Sequence, residues 1–139
     1  MKLKNLLLNH LIVNGNKQTS ENLILKSFKV GQKQCFKNHR EVFKSAVINS
    51  SPIVNLKYVM RGRKQVKEFP FVLHKHIRAS LAIKLILHTI NKNSERSFSS
   101  KFNNEIVFTS KNSSTSVKTR HEIHNTAFLS RKYANYRWF

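Results

Sequence analysis

One segment of the sequence departs from an otherwise helical pattern, and it restricts the folds that the chain can adopt. Residues 53–60 and 66–73 are both rich in Val, Ile, Phe and Tyr, and a basic stretch at residues 61–65 separates them. Two such runs around a short turn predict a β-hairpin with a basic tip. Pro70 lacks a backbone donor, which is acceptable where a strand has an open edge. A two-stranded hairpin arm is therefore expected at about residues 53–73.

The other segments carry apolar residues at helical intervals. Six helices are predicted, at residues 3–13, from a cap at Thr19 or Ser20 to Gly31, from a cap at Asn38 to Pro52, and at residues 75–91, 97–109 and about 117–134. In the fourth helix the apolar residues are spread too widely for a surface stripe, which predicts a place at the centre of the core. The expected fold is mainly α, a single domain over residues 1–139. About six helices form a bundle from which the hairpin protrudes.

The charge of the chain predicts a polyanionic partner. Lys and Arg number 26 against 6 acidic residues, all of them Glu, which gives a formal net charge of +20. Nucleic acid neutralises such a charge best. A membrane surface favours one basic amphipathic helix or a terminal cluster, whereas these cations run from Lys2 to Arg137. Because the hydrophobic fraction is 40%, the chain is expected to fold and not to remain a disordered basic tail. No membrane span is expected, and the N-terminal residues are expected to form an amphipathic helix and not a signal peptide.

The residue types needed for catalysis are sparse. The chain has no Asp, and its Glu residues are scattered, whereas Mg²⁺-dependent nucleases generally need clustered carboxylates. Cys35 is the only cysteine, which excludes an intramolecular disulfide and zinc sites built on several cysteines. His121, Glu122 and His124 suggest a metal-dependent nuclease as an alternative, but the zincin pattern needs another spacing and a third ligand. No enzymatic activity, metal or cofactor is expected.

Several strings resemble, in order and spacing, bacterial-type protein seven of the small ribosomal subunit. Residues 13–19 (Val-Asn-Gly-Asn-Lys-Gln-Thr) are similar to that family's first interhelical turn, and Pro52-Ile53-Val54 and Phe69-Pro70 stand where its hairpin begins and ends. Residues 78–84 (Arg-Ala-Ser-Leu-Ala-Ile-Lys) are similar to its central helix. The C-terminal strings, residues 115–120 (Thr-Ser-Val-Lys-Thr-Arg) and 134–138 (Ala-Asn-Tyr-Arg-Trp), resemble its last helix most closely. The resemblance covers almost the whole chain.

This resemblance implies a helical bundle whose hairpin, first helix and fourth helix bind rRNA in the head domain of the subunit. Neighbouring head proteins are expected partners, with mRNA and exit-position tRNA close by. The expected RNA ligands are the basic residues of these elements and of the last helix: Lys2, Lys4, Lys17, Lys57, Arg61, Arg63, Lys64, Lys67, Lys75, Arg78, Lys84, Lys118, Arg120, Arg131 and Arg137. Within this set, Lys75, Arg78 and Lys84 are expected to share one side of the fourth helix.

Some features depart from the family or leave alternatives open. The family usually has a basic tail before its first helix, so some of its anchoring contacts are expected to be absent or replaced here. Tyr133, Tyr136 and Trp138 either stack on RNA or fold back on the core. A basic helical DNA-binding regulator is the alternative function. The richness in Asn, Lys, Ile and Phe is typical of AT-rich genomes and favours a mitochondrial ribosome over a plastid or bacterial one.

Overall fold

The protein is mainly helical, with one hairpin arm. The computed structural model describes residues 3–35, 38–61, 65–95 and 97–135. Over these ranges the elements are α1 (Leu3–Leu11), α2 (Lys17–Cys35), α3 (His39–Ser50), β1 (Val54–Arg61), β2 (Gln65–Val72), α4 (Lys75–Lys92), α5 (Phe98–Ser110), α6 (Thr115–Leu129) and a 3₁₀ turn (Arg131–Tyr133). The predicted fold class, a helical bundle with a two-stranded hairpin, is confirmed.

Helix α4 lies at the centre of the bundle, where it packs against α1, α3, α5 and α6. Its apolar side chains Ile83, Ile86 and Ile90 are each 1% exposed. Helix α5 contributes Phe102 and Ile106, which lie four residues apart and belong to the apolar pattern that predicted this helix. Helices α1, α2 and α3 supply further core residues, namely Leu7, Leu8, Ile24, Phe43, Ala46 and Val47. The central position predicted for the fourth helix is therefore confirmed.

Helix α2 extends beyond both of its predicted ends. Neither Thr19 nor Ser20 is its cap, because the helix begins at Lys17 and both hydroxyls donate back to the carbonyl of Asn16. The turn before it, with Asn14 and Gly15 at positive φ, already reverses the chain. The prediction of a later start is wrong because an N-cap side chain accepts from backbone N–H groups that follow it, whereas these hydroxyls donate to a carbonyl that precedes them.

Gly31 lies inside α2 and does not end it. A Cβ atom at this position would lie 2.9 Å from Oδ1 of Asn103 on α5. Gly31 therefore marks a close approach of two helices. Glycine is used both for such contacts and to end helices, and the sequence alone does not distinguish the two uses.

Helix α6 is shifted towards the N-terminus relative to its predicted range. Ser114 caps it by accepting from the backbone N–H of Val117 at 3.4 Å, and the helix ends at Leu129. Ser130 then donates its hydroxyl to the carbonyl of Thr126 at 2.9 Å, and the 3₁₀ turn follows. The predicted end at residue 134 is wrong because the chain turns here to place Tyr133 on the hairpin.

Pro70 occupies a position in the hairpin where no ladder bond is lost. Leu73 donates its N–H to the carbonyl of Ile53 at 3.0 Å, which marks a hydrogen-bonded pair just before the strands. Since such pairs alternate along an antiparallel ladder, the Leu56–Pro70 pair is a non-hydrogen-bonded one. The N–H of Leu56 thus points away from β2, and Oδ1 of Asn55 accepts it at 2.9 Å.

Candidate nucleic-acid interface

The segment that joins α3 to β1 is held in place by side chains from α4 and α6. We call residues 49–53, the last two residues of α3 and the link to β1, the hairpin root. Arg78 donates Nε to the carbonyl of Pro52 at 3.1 Å, and Arg120 donates Nη1 to the carbonyl of Asn49 at 2.6 Å. The backbone N–H of Ile53 donates to Nε2 of His124 at 3.1 Å. These three bonds fix the point from which the hairpin leaves the bundle.

Asn49 extends this support to a third helix. Its amide nitrogen donates to the carbonyls of Thr109 and Ser110, at 3.1 and 2.9 Å. These carbonyls lie at the C-terminal end of α5, where the helix itself supplies no donors. One side chain therefore satisfies two backbone acceptors and joins the hairpin root to α5.

His124 lies in a cationic environment. Its pKa is lowered from 6.5, first by burial and then by the positive charges of Arg120, His121 and Arg78. Because its Nε2 accepts a hydrogen bond from Ile53, the imidazole is neutral and carries its proton on Nδ1. Protonation of Nε2 would remove this acceptor and would place a further cation beside two arginines.

Acidification is expected to destabilise the protein through His124. Because the folded-state pKa lies below the unfolded value of about 6.5, the contribution to stability is complete above that pH. It is lost as the pH falls through the lowered folded pKa. Urea unfolding of the wild type from pH 8 to pH 5 should therefore show falling stability, and His124→Gln should weaken that dependence.

His88→Gln is the matched control for this experiment, because His88 is exposed on α4 and is not among the charged groups that act on His124. It should keep the pH dependence of the wild type. His10, whose pKa is lowered by burial and by the charge of Lys84, should leave a residual dependence in the His124 variant. An unchanged pH profile in His124→Gln would contradict the assigned role.

Tyr133 supports the hairpin from the side. Its ring packs on Phe69 of β2 with centroids 5.5 Å apart. Two ammonium groups lie over the same ring, that of Lys132 at 5.1 Å and that of Lys67 at 5.8 Å from its centroid. Of the two alternatives for the aromatic residues, Tyr133 therefore folds back on the protein. Tyr136 and Trp138 lie outside the described residues.

The hairpin has two unlike faces. From the register, Lys57, Lys67 and Phe69 belong to one face, because side chains alternate along each strand. The opposite face carries exposed apolar residues towards the tip: Tyr58, Met60 and Val66 are 60, 77 and 52% exposed. The hairpin thus presents a basic face and an apolar face instead of a uniformly charged arm.

The expected RNA ligands fall into three groups. Seven have exposed side chains, namely Lys4, Lys17, Lys57, Lys75, Lys84, Lys118 and Arg131. Three are half-buried: Arg78 and Arg120 are bonded to the hairpin root, and Lys67 lies over Tyr133. Lys2, Arg63, Lys64 and Arg137 lie outside the described residues, as does the side chain of Arg61.

The fourth helix does not present its cations on one side. Lys75 and Lys84 are separated by about two and a half helical turns, which places them on opposite sides of α4. The prediction of one basic stripe is therefore wrong. Lys84 instead faces α1, since its charge acts on His10, and Nε2 of His10 lies 2.8 Å from Oγ of Ser80 on α4. The charge of Lys84 therefore lies where α4 meets α1.

The supporting roles of Asn49, Arg120 and His124 were missed from sequence. A signal for two of them exists in α6, where Val117, Arg120, His124 and Ala127 recur at helical spacing. Val117 and Ala127 are buried, so the two basic residues between them face the protein. A cation in the apolar stripe of a helix indicates an internal bond more than a ligand contact.

Among the described residues, no group of three or more His, Cys, Asp or Glu side chains is placed to hold a metal ion. His124, one member of the metal-binding alternative, instead accepts the backbone N–H of Ile53.

A membrane-crossing helix, one both long enough and apolar enough, is likewise not found within the described ranges.

Comparisons with known proteins point to one family. The family model described as "Ribosomal protein S7p/S5e" matches residues 1–131. Small ribosomal subunit protein uS7 of Vibrio atlanticus is 30% identical over 130 residues, covering 94% of this chain and 83% of that protein. The uS7 protein of Exiguobacterium sibiricum is 27% identical over 137 residues, covering 99% and 87%. Small ribosomal subunit protein uS7m of Reclinomonas americana is 28% identical over 131 residues, covering 94% and 82%.

Proposed function

The chain belongs to the ribosomal protein S7p/S5e family, and from this premise we propose that it is a structural component of the small ribosomal subunit that binds the subunit's rRNA. The family match over residues 1–131 carries the proposal. Members of this family are structural ribosomal proteins, so the chain is not an enzyme. The net charge of +20 supports RNA as the partner. The family match also favours this function over a DNA-binding regulator.

The RNA-binding surface that we propose consists of the hairpin and the exposed cations of α1, α4 and α6. Lys57 and Lys67 lie on the basic face of the hairpin, and Lys84 lies where α4 meets α1. Arg78 and Arg120 contribute differently, because their bonds to the hairpin root set the direction of the arm. They act on RNA binding first by positioning the other ligands.

The family resemblance supports a position in the head of the subunit. The position that we propose lies beside other head proteins and near the mRNA exit and the exit-position tRNA. A mitochondrial ribosome is supported by the AT-rich type of composition and by the likeness to the uS7m protein. Bacterial uS7 proteins are equally similar to the chain, so the choice of ribosome depends on the composition.

Crosslinking in cells tests this function directly. The tagged full-length chain is crosslinked, purified through a salt gradient, and the bound nucleic acid is sequenced. Small-subunit rRNA is the expected product, and the chain should co-sediment with small-subunit particles. In vitro, log affinity for that rRNA should fall with log salt by roughly 0.7 to 0.9 per phosphate contact. Enrichment of duplex DNA, or an affinity that is independent of salt, would contradict the proposal.

The outer part of the hairpin is expected to become ordered on RNA. A two-stranded ribbon is marginal in water, and Tyr58, Met60 and Val66 are little covered. Amide exchange between Lys57 and Lys67 should therefore be fast in the free protein and strongly slowed in the assembled subunit. Hydrogen exchange with mass spectrometry measures this change.

Two amides at the base of the hairpin, one in the hairpin root and one just after β2, supply the internal reference for that measurement. The N–H groups of Ile53 and Leu73 are both bonded within the protein, to His124 and to the carbonyl of Ile53. They should exchange slowly in both states. Equal protection of the outer strands in free and assembled protein would show that the protein alone holds the arm.

A further inference from the structure

Two residues on different helices, His39 and Asn103, line the same small cavity, and each carries a buried polar atom. Nδ1 of His39, at the start of α3, and Nδ2 of Asn103, in α5, have no hydrogen-bond partner among the described residues. The cavity has a volume of about 20 Å³, and Phe28, Gly31 and Ile106 complete most of its wall. Unpaired buried polar groups are rare because each retains the free-energy cost of its desolvation.

Both side chains are held by contacts with neighbouring residues, Asn103 as a buried residue and His39 as a half-buried one. Asn103 is 4% exposed, and its Oδ1 lies where a Cβ atom at Gly31 would be only 2.9 Å away. The imidazole of His39 packs on Phe28, with ring centroids 4.8 Å apart. The close approach of α2 and α5 at Gly31 therefore fixes the amide group, and the aromatic contact fixes the imidazole.

We propose that one structural water molecule binds in this cavity and bridges Asn103 on α5 to His39 on α3, beside the wall that α2 provides. The amide nitrogen of Asn103 can only donate, whereas Nδ1 of His39 accepts or donates according to its tautomer. Water matches both, since it donates and accepts. A metal ion does not fit, because an amide N–H offers it no lone pair. One water molecule needs a cavity volume of about 10 to 15 Å³. The cavity of about 20 Å³ therefore holds one water molecule and no larger ligand.

The first test is a crystal structure of the full chain at about 1.5 Å resolution. The expected result is a single density peak at about 2.7 to 3.2 Å from both nitrogen atoms. An empty cavity, or a side chain that fills it, would overturn the proposal. This measurement needs no variant and so does not depend on whether substitutions at the site fold.

The second test is a double-mutant cycle with His39→Phe and Asn103→Leu, measured by urea unfolding. Either single change leaves the water with one of its two partners, whereas the double variant removes both groups and allows a dry cavity. The folding constant of the double variant should exceed the value expected from independent effects by at least about threefold.

Asn104→Leu combined with His39→Phe is the matched control. Asn104 is the neighbouring residue on α5 and bonds to Glu95 outside the cavity. The effects of Asn104→Leu and His39→Phe on the folding constant should be independent, so that their product gives the value for the double variant. Independent effects in the Asn103 cycle as well would overturn the water bridge.

Discussion

Replacing Arg61, Arg63 and Lys64 together by Ala is expected to lower the affinity for small-subunit rRNA about a hundredfold, at about 1 kcal/mol for each lost phosphate contact. The slope of log affinity against log salt should fall by about 2 to 3, since each cation that binds a phosphate releases counterions. Filter binding or fluorescence titration over a salt series measures both quantities. The helix content of the variant should not change.

The control for this variant removes the same charge elsewhere. Lys26, Lys29 and Lys33 are all exposed on α2 and are not among the expected RNA ligands. Their joint replacement by Ala lowers the net charge equally but should change the affinity much less. Similar losses in both triple variants would mean that total charge, and not the hairpin tip, determines RNA binding.

Replacing Ile86 by Ala is expected to lower the free energy of unfolding by about 2 to 5 kcal/mol. Ile86 is 1% exposed on the central helix, and the surrounding helices close on it from several sides. The neighbouring Leu85 is only half-buried, so its replacement should cost clearly less. Urea unfolding of the purified chain measures both effects.

The hairpin provides the opposite control for stability. Arg61→Ala with Arg63→Ala should leave the melting temperature nearly unchanged, because Arg61 ends β1 and the core cluster of the described residues is built from apolar side chains. If this variant unfolds as easily as Ile86→Ala, the division between a stabilising bundle and an RNA-binding arm is wrong.

Elements that are stabilised by contacts between residues close in the sequence were predicted well. The hairpin strands, expected at residues 53–60 and 66–73, are displaced by only one residue at each end, since the two strands pair with each other. Helix α5 follows from the four-residue spacing of its apolar side chains, two of which are in the core. In both cases the decisive contacts are local.

Features that depend on distant contacts were not predicted. The end of α6 is determined by Tyr133 on Phe69, and the helical continuation through Gly31 is seen only with Asn103 opposite it. Local propensity indicated a longer α6 and a shorter α2. Tertiary contacts overrode both preferences, as they commonly do at helix ends.

The candidate site shows the same division. The exposure of seven of the ten expected ligands whose side chains are described follows from their charge. Arg78 and Arg120 are instead bonded to the backbone carbonyls of Pro52 and Asn49. A carbonyl acceptor carries no sequence signature, because every residue has one. Only the buried stripe of α6 indicates that Arg120 faces inward.

The bonds of the hairpin root also determine when the arm acquires its direction during synthesis. The strands pair locally and are complete once residue 72 has emerged, but the contacts of Asn49 with Arg120 and of Ile53 with His124 each span 71 residues. Domains fold as the chain emerges from its N-terminus, so this late segment completes the anchor. A nascent chain that lacks α6 holds the hairpin root through Arg78 and Asn49, and the arm acquires its complete anchor only when the last helix has been made.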